Sequence, residues 1–163
     1  MAETHGLERL GPRRGTRPAT TPTNPHQQLD QNAPTDLQEE LFGRGLELAG
    51  VHPGPSGISV PGARAFHLEP RLAKGPLQAF MVGTEFAHLH PPYDGSLHLM
   101  LSEETARSVV ALGWGELHPV VRMGLLPPTA LMIYGPRNAS ELEAVWLMLL
   151  ASHAFARGAT TEA

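Results

Sequence analysis

The sequence predicts a single α+β domain: a mainly antiparallel sheet with helices packed mostly on one face. Three observations carry this. Segments that read as strands up to residue 101 are joined by short turns, which antiparallel strands can use and parallel strands cannot. Three segments open with helix-capping signals and then show apolar residues at helical spacing. The order along the chain is helix, several strands, helix, strand, helix, a layout of one sheet with segregated helices.

Residues 1–34 are rich in Pro, Thr, Gln, Asn and Arg and poor in large apolar side chains. Such a composition reads as a disordered leader, or as an arm laid across the domain in extended form. A helix is expected over residues 35–49, with Thr35 as N-cap, Gln38 completing a capping box, and Gly50 as its stop. Leu37, Leu41 and Leu48 share one of its faces. Residues 51–61 read as loop. Residues 63–68 and 77–82 read as strands flanking a turn at Lys74-Gly75-Pro76, and residues 86–90 and 96–101 as a second pair. Ser102 caps the next helix, Ala106, Val109 and Val110 form its inner face, and Gly113 ends it. Residues 130–134 are continuously apolar and read as a central strand.

The last helix starts at Asn138, with Glu141 at the third helical position, and is apolar nearly all round. It is therefore buried on two sides or forms a homo-oligomer interface. Arg157 and Gly158 end it. The divisions are an arm over residues 1–34, a domain over 35–157 and a tail over 158–163.

A chain of 163 residues fits one domain. The net charge of -4, with histidine neutral, gives no basic footprint for nucleic acid. With no cysteine, disulfides, zinc–thiolate sites and iron–sulfur clusters are excluded. There is no apolar signal core and no run of transmembrane length, so a cytoplasmic protein without a membrane partner is expected.

The chemistry-bearing residues cluster. The stretch EFAHLHPPYDGSLHLML places His88, His90 and His98 on two adjacent strands. Side chains alternate along a strand, so His88 and His90 point one way, with Phe86 beside them and Ala87 and Leu89 opposite. Pro91 and Pro92 cannot donate to a ladder, which favours a wide loop over residues 91–95 and sets His88 opposite His98. Three imidazoles on one face, with Glu85 or Asp94 nearby, can hold a divalent transition metal in a cupin-like manner, work as a metal-free acid–base group, or simply bond one another. Glu116 and His118 share a face if extended, after the Gly113-Trp114-Gly115 turn. Tyr134 and Arg137 flank a strand-to-helix junction suited to a carboxylate, enolate or phosphate.

Glu-Phe-Ala-His-Leu-His, Ser-Leu-His-Leu, Gly-Trp-Gly-Glu with His118-Pro119, and Tyr-Gly-Pro-Arg-Asn with Glu141 together resemble the luciferase-domain family. That family contains the luciferases of bioluminescent fungi and many bacterial proteins without an assigned activity. The resemblance implies an oxygenase. In the fungal enzymes a hydroxylated α-pyrone, 3-hydroxyhispidin, reacts with oxygen through a high-energy peroxide, with loss of carbon dioxide and emission of light. His88, His90, His98, Trp114, His118, Tyr134 and Arg137 match its motifs. The proline-rich loop Pro91-Pro92-Tyr93-Asp94-Gly95 and the Val120-Val121-Arg122 segment depart from it, and a membrane-anchoring N-terminal segment like that of the fungal proteins is not expected. Gly15-Thr16-Arg17-Pro18 also looks like the family, so the chain is expected to be loose to Arg14 and an extended arm from Gly15 on, able to supply Arg17, His26 or Gln28 to a cleft edge.

The resulting expectation is an oxygenase- or monooxygenase-like enzyme for a small enol, phenol or α-pyrone, with molecular oxygen as co-substrate and light emission not assumed. The alternative is a non-catalytic small-ligand-binding domain. His88, His90, His98, His118 and Arg137 are the candidate catalytic residues. Trp114, Glu116, Tyr134, Asp94 and Arg17 are the candidate substrate contacts, and His88, His90 and His98 the candidate metal ligands.

Overall fold

A computed structural model describes residues 6–159. Six strands form one antiparallel sheet in the order β1-β2-β3-β4-β6-β5. They are β1 (Val51–Pro55), β2 (Arg64–Leu68), β3 (Glu85–Leu89), β4 (Leu97–Met100), β5 (Gly115–Leu117) and β6 (Ala130–Ile133). Three helices complete the fold: α1 (Thr35–Leu46), α2 (Glu103–Ala111) and α3 (Ala139–Ala156). The first four strands follow one another as a meander, and the chain then crosses through α2 to build β5 outside β6. Among the described residues no helix is long and apolar enough to cross a membrane.

The sheet has one apolar face and one histidine face. Two cross-strand rows, Phe66–Ala87–Leu99–Leu131 and Leu89–Leu97–Ile133, pack under the helices. Leu41 and Phe42 of α1, Ala106 and Val109 of α2, and Leu142, Val145, Met148 and Leu149 of α3 close that core. Gly45 lets α1 lie close on β2, since a Cβ there would come within 2.3 Å of the Phe66 ring. On the second apolar side of α3, Trp146 lies under the Arg44 guanidinium, and Trp146, Leu147 and Leu150 are half-buried.

Ser102 and Asn138 cap α2 and α3 as expected, each side chain accepting a backbone N–H three residues on. Glu141 differs slightly: its carboxylate accepts from the N–H of Arg137 rather than Asn138.

Four expectations are corrected. Residues 51–61 are not all loop, because Val51–Pro55 is the edge strand β1; Pro53 and Pro55 are tolerated there because an edge strand needs donors on one side only. Residues 77–82 are not a strand: Leu77–Ala79 is a 3-10 turn, and only an isolated bridge joins Val82 to Glu85. Helix α1 is preceded by Pro34, without a side-chain cap, and ends at Leu46. Gln38 does not build a capping box; its amide donates to the carbonyls of Ala33 and Pro92, tying the helix start to the histidine hairpin.

The fourth is Phe86. Cross-strand partners pass from Phe66↔Ala87 to His67↔Glu85, leaving Phe86 as the extra residue of a β-bulge. The bulge turns Phe86 to the helix side, against Phe66 and His153. Glu85 is thereby carried round to the histidine face.

Gly115 gives a direct check on how tightly β5 is held. A Cβ at this position would meet the carbonyl oxygen of Met132 at 2.2 Å. Gly115→Ala is expected to cost about 1–3 kcal/mol in urea unfolding, because backbone cannot yield as a side-chain tip can. A neutral effect would mean that β5 does not pack on β6 as described.

Candidate active site

On the other face of the sheet, one cross-strand row runs Ala65–His88–His98–Met132–Glu116. The expected register of the hairpin is the observed one: His88 pairs with His98, and the His90 N–H closes the loop on the Ser96 carbonyl. His90, one position beyond β3, joins the same face. The rings of His88, His90 and His98 are buried and meet at centroid distances of 4.5–5.3 Å.

Each outer ring nitrogen has an acidic partner that fixes its tautomer. His88 Nδ1–H donates to Glu85 Oε2 at 2.8 Å. Glu85 is held in turn by the Ser56 hydroxyl at 2.7 Å and the Gly57 N–H at 2.8 Å. Ser96 gives its hydroxyl proton to Asp94 Oδ1 at 2.5 Å, so its oxygen accepts from His90 Nδ1–H at 2.9 Å. Asp94 Oδ2 stands 3.2 Å from the same nitrogen. Burial is the largest influence on both carboxyls and pushes them up. Hydrogen bonds from His88 and the Gly57 N–H outweigh it for Glu85, and those from His90 and Ser96 outweigh it for Asp94, so both sit below the usual range.

The N-terminal arm closes this face. A short turn with a bridge between Thr20 and Gln28 carries His26 over the sheet. His26 Nε2–H donates to Glu116 Oε2 at 2.8 Å, and His26 Nδ1 faces His98 Nε2 at 2.9 Å. Gln28 anchors the turn: its side-chain oxygen accepts from the Gly135 N–H at 2.9 Å, and its N–H donates to Asp94 at 3.1 Å. Glu116 also accepts from Arg17, Thr20 and Tyr134. Burial raises the Glu116 carboxyl, but the His26, Tyr134 and Thr20 hydrogen bonds win and lower it to about 2. Burial, then the bond to Glu116, pushes the Tyr134 phenol up to about 12, so it stays a donor.

The arm reaches further back than composition suggests. Residues 6–14, expected to be loose, lie against the domain: the Trp114 indole donates to the Gly11 carbonyl at 2.8 Å, and the Arg13 N–H to the Leu112 carbonyl at 2.9 Å. Met1–His5 and residues 160–163 of the expected tail lie outside the described residues.

Between arm and sheet is a cavity of about 450 Å³. His26, His88, His90, His98 and His118 form its polar floor, and Ile58, Val60, Met81, Val120, Leu125 and Leu126 are its apolar walls. His118 Nδ1 accepts the Val120 N–H at 3.2 Å, so a neutral His118 carries its proton on Nε2 and is a donor there. Burial, then charge repulsion from His26, His88 and His90, lowers His118 to about 4 and keeps it neutral at pH 7. Burial likewise lowers His88, and lowers His98 further.

His88, His90, His98 and His118 therefore come together. Asp94, Glu116, Tyr134 and Arg17 stand behind the rings and do not line the cavity. Two expected site residues lie elsewhere. Arg137 bonds Glu141, Gln31 and the Arg14 carbonyl, pinning the arm to the start of α3, and does not line the cavity. Trp114 packs in the helix-side core. His26 and the apolar walls were not among the expected site residues. Only the reading of the arm as able to reach a cleft edge hinted at His26, and no pattern marked the walls.

Residues 83–152 match the family model described as the luciferase domain. The luciferases of Armillaria ostoyae, Armillaria gallica and Neonothopanus nambi are 44%, 43% and 39% identical to this chain over 70 residues. Each alignment covers 42% of this chain, and the matched region spans 26% of the relative's length. No solved structure matches the chain. The matched segment holds Glu85, all four histidines of the sheet face, and Glu116. Arg17, His26, Ile58 and Val60 lie outside it.

The depressed carboxyl of Glu116 makes a pH prediction. A carboxyl lowered on folding contributes stability that is complete above the unfolded value of about 4.3 and lost as pH falls through the folded one. With Glu116 near 2 when folded, that contribution is on the order of 3 kcal/mol. Glu116→Gln should be less stable than the unmodified protein at pH 7, and the gap should narrow as pH falls from about 5 towards 3. Denaturation midpoints against pH check this; a gap independent of pH would show that the charge of Glu116 is not what holds the arm.

Proposed function

We propose that this chain, which belongs to the luciferase-domain family through residues 83–152, is an oxygenase-like enzyme for a small, largely apolar enol, phenol or α-pyrone. The observation that carries the reading is the cavity itself: apolar walls of a size for one or two rings above a floor of imidazoles, three of which, His88, His98 and His118, burial favours in the neutral form. The walls would take the ring system, and the substrate hydroxyl would lie on the floor. The resemblance to fungal luciferases supports oxygen as co-substrate.

The chemistry follows from the tautomers. An inward imidazole lone pair accepts the substrate's hydroxyl proton, leaving an enolate or phenolate. His118 Nε2–H donates to the oxygen that carries the new charge. The anion's carbon then gives an electron pair to oxygen, forming one carbon–oxygen bond, and the proton held by the imidazole completes a hydroperoxide. In this reading His118 takes the anion-stabilising role first assigned to Arg137.

The test is oxygen uptake and luminescence with hydroxylated α-pyrones and simpler enols and phenols. Saturable uptake of one oxygen per substrate is expected. His118→Gln should lower kcat/KM by about 10²–10³-fold, the usual effect of removing one donor to a developing oxyanion. Ligand-induced thermal stabilisation without uptake across the set would leave a binding domain and reject the enzyme.

A further inference from the structure

Three ring nitrogens, each on a ring whose other nitrogen is bonded outward, converge on His98. Glu85, the Ser96–Asp94 pair and Glu116 each take the outer N–H of a ring. The nitrogens left over are Nε2 of His88, Nε2 of His90 and Nδ1 of His26. All three point at His98. His88 Nε2 and His90 Nε2 each stand 3.1 Å from His98 Nδ1, and His26 Nδ1 stands 2.9 Å from His98 Nε2.

A neutral His98 has a single N–H to offer. Placed on Nδ1, it leaves the Nε2 lone pair facing that of His26. Placed on Nε2, it satisfies His26 and leaves three lone pairs converging: His88 Nε2, His90 Nε2 and His98 Nδ1. With all four rings neutral, either arrangement leaves lone pairs facing one another in a buried site, which a bound cation, a metal ion or one further proton, would relieve. Three carboxylates, Glu85, Asp94 and Glu116, bond to the rings, and among the described residues Arg17 is the one guanidinium within hydrogen-bond reach of them.

From this convergence we propose that the cavity floor is a binding site for one divalent first-row transition metal, held by His88 Nε2, His90 Nε2 and His98 Nδ1. The ligand atoms lie within 4.8 Å of one another. The 3.1 Å separations match the roughly 3.0–3.4 Å between imidazole nitrogens that share a metal at about 2.0–2.1 Å. Neutral nitrogen ligands select such ions over magnesium or calcium. Outer-nitrogen bonds to carboxylates are the usual way to orient metal-binding histidines. With the cation in place every proton has one position. His98 Nε2–H donates to His26, and His26 Nε2–H donates to Glu116.

The same reasoning sets aside the neighbouring triad His26, His98 and His118. The Val120 N–H occupies His118 Nδ1, so His118 Nε2 holds a proton and has no lone pair to give. The inference rests on the proposed function in using the same cavity, and it replaces the ring base: with those three lone pairs on the cation, the substrate hydroxyl would release its proton to solvent beside a Lewis acid.

Cobalt(II) is the probe, with the untagged full chain. One equivalent should bind and give visible ligand-field bands, and X-ray absorption of that complex should fit three imidazole nitrogens, which needs no variant. His118→Ala should keep the metal. His26→Ala should weaken it by about 10–100-fold, as loss of an orienting partner does, and His98→Asn should abolish binding. Absence of binding, fewer than three imidazoles, or loss of metal in His118→Ala with retention in a folded His88→Ala would overturn the proposal. Metal binding without oxygen uptake would reject only the enzyme reading, and uptake by metal-free protein would reject only the metal.

Discussion

The pairing of His88 with His98 across β3 and β4 is the constraint on which the other features of the site depend. It brings two buried imidazoles into contact, and buried polar groups persist when their nitrogens have partners. The partners come from far apart in sequence: Glu85 through a bulge, Asp94 and Ser96 through the hairpin loop, and His26 through the arm. Much of the irregular structure can be read as the means of delivering them. The β2–β3 bulge sends Phe86 into the core and Glu85 to His88. The wide loop after Pro91 and Pro92 sets Asp94 behind His90.

The arm is the least regular part of the molecule and the one most tied to the site. Its backbone forms little secondary structure, yet Arg13, His26, Gln28 and Ala33 are buried. Polar bonds to Glu116, Asp94, Gly135 and Arg137 hold it, beside the packing of Leu7 and Leu10 on the core. That makes the lid over the cavity sensitive to the charge of a few groups. The matched family segment contains the sheet-face histidines but not the arm, so the roof of this cavity belongs to a part of the chain outside that match.

The sheet, the hairpin register and the starts of α2 and α3 were legible because each rests on local rules. Proline cannot donate, side chains alternate, and Ser or Asn caps a helix. Prolines hid β1, because the sequence does not say which strand will be an edge. Phe86 was misassigned because a bulge breaks alternation, and nothing local announces one. Arg137 fitted an anion site by type and position, but its neighbours Gln31 and the Arg14 carbonyl are brought by tertiary folding. His26 could not be ranked above the other arm residues, since low apolar content says nothing about polar anchoring.

The central claim is an assignment of protons to four rings, and imidazole 15N NMR reads it directly. In zinc-titrated protein at neutral pH, His88 and His90 are predicted to carry their protons on Nδ1 with metal-shifted Nε2 resonances. His98 is predicted to be protonated on Nε2 with a metal-shifted Nδ1, and His26 to be neutral with its proton on Nε2. A cationic His26, or a His98 that keeps its proton on Nδ1 whatever the zinc concentration, would contradict it.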